Sequence, residues 1–125
     1  MILEFTKRTM QPGVTALGIT GSIHCGPECA RLEREVDALI AARETRVIFD
    51  MAGVTHADSA AIGSIVRCFA KLKSAGGGLR IAAAQSMVDH SLKLTKVDKV
   101  IEIFSTVEQA VQGFAGPEAG AGQRA

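Results

Sequence analysis

Histidine and cysteine side chains come together once in the chain, in the run His24-Cys25-Gly26-Pro27-Glu28-Cys29. Thiolate and imidazole are the ligands that zinc prefers, and a closed zinc site needs four of them. The remaining candidates, His56, His90 and Cys68, have no spacing relation to this run. We therefore predict ordinary thiols in a polar loop and no metal site. A small enzyme or metal protein that uses His24 and Cys25 is the least supported functional class.

Catalytic and nucleotide-binding motifs are missing from the sequence. It has no Gly-x-x-x-x-Gly-Lys-Ser/Thr phosphate loop, no Gly-x-Gly-x-x-Gly after a strand and no His-Glu-x-x-His pair. The run Gly76-Gly77-Gly78 lies between a predicted helix and a predicted strand, whereas a phosphate-binding loop lies between a strand and a helix. We interpret this run as a turn and predict a non-enzymatic protein without a cofactor.

Residues 49–63 run from an apolar stretch through a polar loop to the start of a helix, and Ser59 falls at that start. Asp58 or Ser59 can cap the helix by accepting hydrogen bonds from its free backbone N–H groups. A phosphate on Ser59 would face the same N–H groups and the positive end of the helix, where a dianion is tolerated. The residue types leave both interpretations open.

The hydrophobic pattern predicts the elements that position this segment. Two short strands, one around Phe5 and one at residues 14–21, are separated by Gln11-Pro12-Gly13 and indicate an antiparallel hairpin. Further strands are predicted at 46–51 and 79–84, and residues 97–104 lead into a short edge strand; helices are predicted at 28–42, 59–74, 87–95 and 106–114. Because strands and helices alternate after residue 46, we expect an α/β fold with a small mixed sheet.

Apolar residues spaced three and four apart mark the buried faces of the two helices nearest Ser59 in the sequence. They are Ile62, Ile65, Val66, Phe69 and Leu72 in the second helix, and Val88, Leu92 and Leu94 in the third. The other four apolar residues of the second helix complete its buried face without Ile62. Ile62 is therefore a candidate exposed anchor for a partner.

Composition limits the classes of partner. The chain has 125 residues, of which 47% are hydrophobic and 22% charged, as expected for one globular domain. A net charge of +1 and the absence of Trp and Tyr argue against nucleic-acid binding. No run approaches the ~20 apolar residues of a membrane span, so we expect no membrane insertion. Three cysteines, an odd number, and no export signal predict a cytoplasmic protein. Residues 115–125 carry no large apolar side chain and predict a flexible Gly/Ala tail after a domain at 1–114.

The run Val47-Ile48-Phe49-Asp50, followed by Val54-x-x-x-Asp58-Ser59-Ala60-Ala61-Ile62-Gly63, resembles the signature of the STAS domain, specifically of the bacterial anti-sigma factor antagonists. The resemblance covers roughly residues 3–114 in order. It implies the STAS fold, a small mixed sheet of about five strands packed against about four helices.

The resemblance also implies a function. In this family the serine at the position of Ser59 is phosphorylated by an anti-sigma factor that is itself a serine kinase, and a phosphatase removes the phosphate. The unphosphorylated form binds the anti-sigma factor and so regulates transcription without contacting DNA. Asp58, Ala60, Ile62 and Gly63 would form the surrounding partner-binding surface.

Two departures from the family pattern bear on partner choice. Ala61 stands where a glycine is usual, and His24 stands where an acidic residue often follows the second strand. Related STAS domains also act in transport complexes, including a phospholipid-transporting ABC system. The alternative function is therefore a STAS binding subunit of such a complex, with Ser59 only a helix cap. The oligomeric state is left open.

Overall fold

The computed structural model describes residues 3–24 and 26–114. Over these residues the chain forms five strands, four α-helices and one 3-10 helix. In chain order they are β1 (Glu4–Gln11), β2 (Val14–Ile23), α1 (Pro27–Ala41), β3 (Arg46–Ala57), α2 (Ser59–Ser74), β4 (Gly78–Ala82), α3 (Ser86–Leu94), a 3-10 helix (Val97–Lys99), β5 (Ile103–Phe104) and α4 (Val107–Val111). The predicted tail, residues 115–125, lies outside the described residues.

The five strands form one mixed sheet in the order β1-β2-β3-β4-β5. The hairpin of β1 and β2 is antiparallel, and every later pair is parallel. Each parallel connection contains a helix, because parallel neighbours need a crossover. The predicted α/β class and mixed sheet are confirmed.

The sheet is covered on both faces. On one face, the row formed by Leu17, Phe49 and Ile81 packs against buried side chains of α1, α2 and α3. On the other face, Ala16 and Ile48 lie beneath α4. Alternate residues of a strand point to opposite faces, so a strand covered on both sides is buried almost continuously.

Several predicted boundaries and burial patterns are wrong. The third strand continues six residues beyond Met51, to Ala57, because residues 53–57 pair with β2. On α2, Val66 is 36% exposed, whereas Ser64 and Cys68 are fully buried. On α3, Leu94 is 71% exposed. A stripe judged by apolar residues alone misses small polar residues that face a neighbouring helix.

Arg80 holds α4 against the sheet. Its guanidinium lies 5.3 Å from the centre of the Phe104 ring and 4.4 Å from that of Phe114. The same group donates hydrogen bonds to the carbonyl oxygens of Ala110 (2.9 Å) and Gln112 (2.8 Å). Arginine combines a planar stacking surface with several donors, so one side chain satisfies the end of a short helix.

A charged network joins α1 to α2. The buried Ser64 hydroxyl donates to Glu33 Oε2 at 2.7 Å, and Arg67 donates to the same oxygen through Nε at 3.1 Å. These contacts lower the pKa of Glu33, the Ser64 hydrogen bond contributing most. Lys71 adds an ion pair with Asp37 at 3.1 Å.

None of the helices in residues 3–24 and 26–114 is long and apolar enough to span a membrane.

Substitution of two glycines by alanine should change the stability of the fold in opposite directions. A Cβ on Gly77 would collide with the backbone of Thr45, so Gly77→Ala should destabilise the fold by about 1–3 kcal/mol. A Cβ on Gly63 would meet only Arg67, at 3.7 Å, so Gly63→Ala should stabilise α2 by about 1 kcal/mol. Urea unfolding of both variants checks this, and equal midpoints would contradict the close packing at Gly77.

Ser64→Ala should destabilise the protein by about 2 kcal/mol at neutral pH, because it removes a buried hydroxyl that donates a hydrogen bond to the ionised Glu33 carboxylate. The pKa of Glu33 is lowered from its ordinary value of 4.5. The stabilisation from ionised Glu33 is therefore complete above pH 4.5 and is lost as the pH falls through the folded-state pKa. In urea unfolding at stepped pH, the difference between the wild type and Ser64→Ala should shrink below pH 4.5. A difference independent of pH would contradict the network.

Candidate functional site

The start of α2 is held by Asp58. The Asp58 side chain accepts a hydrogen bond from the backbone N–H of Ala61 at 2.9 Å, and its backbone is extended, as at a helix N-cap. The Asp58 N–H donates to the carbonyl oxygen of Ile23 at 3.2 Å. Asp58 therefore joins the end of the β2–β3 pairing to the helix. Of the two possible caps, the structure selects Asp58.

Ser59 is the first residue of α2, and its side chain is exposed. Its hydroxyl makes no hydrogen bond with any residue in the described ranges. The Ser59 side chain thus contributes little to the stability of the fold. It lies at the N-terminus of a 16-residue helix whose first turn contains no acidic residue. The positive end of such a helix favours an added anion.

A small cavity lies beside the start of α2. It has a volume of about 170 Å³ and is open to solvent. The last residues of β3 and the first turns of α3 form most of its wall; the lining residues are His24, Thr55, His56, Ala57, Asp58, Met87, Val88 and Ser91. Nδ1 of His24 lies 3.8 Å from Oδ2 of Asp58, so a protonated imidazole would form an ion pair there. His24, which stands where the resembling family often has an acidic residue, therefore places a basic side chain beside the cap.

The other predicted site residues divide between surface and core. Ala60 and Gly63 are half-buried and lie in the first turns of α2 with Ser59. Ile62 is 7% exposed and packs in the main core, so the expectation that it is an exposed anchor is wrong. With Asp58 as the cap, Ile62 falls three residues before the fully buried Ile65, on the inward face of the helix.

Sequence patterns missed the contribution of α3 to this surface. Met87 is 70% exposed and lines the cavity with Asp58, although the two residues are far apart in the chain. Its exposure depends on how α3 packs against β3, which no local spacing reports. The described cavity is therefore mixed in character, with two imidazoles and a thioether in its lining.

The described members of the His24–Cys29 run belong to no metal-binding group. No group of three or more His, Cys, Asp or Glu side chains in the described part of the chain is close enough to hold an ion. The Cys29 thiol is buried and donates to the carbonyl oxygen of His24 at 3.3 Å. Burial raises the pKa of the Cys68 thiol to about 12, which keeps it protonated at neutral pH. Cys25 lies outside the described residues.

The sequence is similar to one protein family and to curated proteins. Residues 7–110 match the STAS domain family. A curated relative from Thermotoga neapolitana, named for an anti-sigma factor antagonist role, is 24% identical over 71 residues. That alignment spans 57% of this chain and 63% of the relative, which is less than two thirds of the relative's length.

Solved structures share the fold at low identity. A crystal structure from Thermotoga maritima, assigned as an anti-sigma factor antagonist, has a TM-score of 0.80 at 20% identity and covers 88% of this chain and 93% of its own. An anti-sigma factor antagonist from Mycobacterium paratuberculosis has a TM-score of 0.78 at 19% identity, covering 90% and 94%. A sulfate transporter family protein from Wolinella succinogenes has a TM-score of 0.67 at 13% identity, covering 83% and 86%.

These likenesses establish the fold, and the family match extends over most of the chain, including the whole of β3 and α2. The matched region contains β2 to β5, the helices α1 to α3, most of β1 and α4, and the Asp58 cap at the start of α2. The chain belongs to the STAS domain family.

Proposed function

We propose that this chain is an anti-sigma factor antagonist that binds an anti-sigma factor when Ser59 is unphosphorylated and releases it when Ser59 is phosphorylated. The observation that carries the proposal is the position of Ser59, exposed on the first residue of α2, with the cap supplied by its neighbour Asp58. The curated relative named for this role supports it.

The physical effect of a phosphate at this position is large and local. An unmodified serine is small and neutral, so it can be covered by a partner at little cost. A phosphoserine carries a charge of about −2, which must lose its hydration in the same interface. Asp58 adds a like charge one residue away, so the modified surface repels any partner that buries it.

We place the chain in the cytoplasm, with an anti-sigma factor serine kinase and a phosphatase as its proposed partners. The kinase transfers the γ-phosphoryl group of ATP to the Ser59 hydroxyl oxygen, which loses its proton, and ADP leaves. Asp58, Ala60 and Gly63 would lie beneath the partner because they surround Ser59 on the first turns of α2. Ile62 would contribute only by supporting this turn from the core. The chain itself is proposed to be non-catalytic.

The second candidate function is a binding subunit of a transport complex. The sulfate transporter family protein supports it, because that structure shares the fold. The expectation that Ser59 would cap the helix under this function is wrong, because Asp58 makes the capping hydrogen bond. Under this function Ser59 would stay unmodified and the partner would bind constitutively.

Stability separates the roles of the two neighbours. Asp58→Ala should destabilise the protein by about 1 kcal/mol because it removes the N-cap. Ser59→Ala should leave the unfolding free energy within about 0.5 kcal/mol of the wild type, as expected for an exposed side chain. Urea unfolding measures both. A larger loss for Ser59→Ala than for Asp58→Ala would contradict the assignment of the cap.

Phosphorylation by the anti-sigma factor kinases of the source organism tests the function. Each purified kinase is incubated with the chain and ATP, and the modified residue is mapped by mass spectrometry. We expect labelling of Ser59 by one kinase and its loss in Ser59→Ala.

Ser86→Ala is the matched control, because Ser86 is also an exposed first residue of a helix. Its labelling should equal that of the wild type. If every kinase leaves Ser59 unmodified, the proposed function fails and the transport alternative gains support.

A further inference from the structure

The outer edge of the sheet is formed by β1, which has a neighbour on one side only. Its residues Glu4, Thr6, Lys7, Arg8 and Thr9 are all exposed, so no other described part of the chain covers this edge. An uncovered edge strand presents unpaired backbone N–H and C=O groups to any strand of matching pattern. The pairing of β1 with β2 is regular from Glu4 to Thr9, and the register shifts only after Thr9.

The charges of β1 are arranged on both sides of Thr6. Arg8 makes an ion pair with Asp50 at 3.7 Å, which places it on the same face as Asp50. Alternation along the strand puts Glu4 and Thr6 on that face as well. Phe5 points to the other face, where it packs against the main core.

A twofold axis normal to the sheet would join two copies of β1 in antiparallel fashion, with one residue opposite its own copy. Centring the axis on Lys7 or Arg8 places like charges directly opposite, which is unfavourable. Centring it on Phe5 places no charge opposite another. Centring it on Thr6 places Glu4 opposite Arg8 of the second copy, and by symmetry this pair occurs twice.

We propose that a second copy of this chain pairs with β1 in the register centred on Thr6, joining two five-stranded sheets into one. The two Glu4–Arg8 pairs select the register, and the Thr6 side chains meet at the axis. Opposite charges and threonine pairs across neighbouring strands are both stabilising. The added strand pair alone is a small interface, so the dimer is weak and depends on protein concentration.

Charge reversal tests the register. In Glu4→Arg, both pairs become Arg opposite Arg, and in Arg8→Glu both become Glu opposite Glu. Each variant alone should dimerise at least about tenfold more weakly than the wild type. An equimolar mixture of the two variants pairs Arg with Glu at both positions, so it should recover a dimer that contains one chain of each kind. Sedimentation equilibrium over a concentration series measures all three.

Lys73→Glu is the control, because Lys73 is exposed on α2 and the substitution changes the net charge as Arg8→Glu does. It should dimerise as the wild type does. Circular dichroism and thermal melting confirm that each variant is folded. A wild-type chain that is monomeric at all concentrations overturns the proposal. A dimer unaffected by either reversal, or a mixture that does not associate, also overturns it. None of these results bears on phosphorylation of Ser59.

Discussion

The long parallel pairing of β2 with β3 is the constraint on which the site depends. The pairing continues to Ile23 and Ala57, and the next backbone N–H, that of Asp58, bonds to the carbonyl of Ile23. This places the Asp58 carboxylate at the carboxyl edge of the sheet, where it caps α2. Because the cap sets the phase of the helix, it also decides that Ile62 points inward and that Ser59 lies at the surface.

In this arrangement the residues that stabilise the start of α2 differ from the residue that is proposed to be phosphorylated. The hydrogen bond to the helix comes from Asp58, the packing comes from Ile62 and Ile65, and the exposed hydroxyl of Ser59 is left out of both. A phosphate added to Ser59 would therefore change the charge of the surface without removing any of the contacts that hold α2. The network of Glu33, Ser64 and Arg67 anchors the same helix to α1 one turn further along.

Much of the architecture could be predicted from the sequence, because continuous apolar runs and three-and-four spacing report burial directly. The start of α2 and the mixed sheet are of this kind. The extension of β3 to Ala57 could not be predicted, since Gly53 and the polar residues after it resemble a loop; they form a strand only because β2 lies beside them. The cavity that Met87 and Asp58 both line, and the contacts of Arg80 with the Phe104 and Phe114 rings, arise from packing between distant segments. No local pattern contains that information.

A phosphate on Ser59 is proposed to change binding without changing the fold. The most direct test installs phosphoserine at position 59 during synthesis and measures binding of the cognate anti-sigma factor by calorimetry, with the unmodified chain as reference. The modified chain is expected to bind at least about tenfold more weakly, with an unchanged circular dichroism spectrum and melting temperature. Equal affinity of the two chains, or a modified chain that has lost its fold, would contradict it.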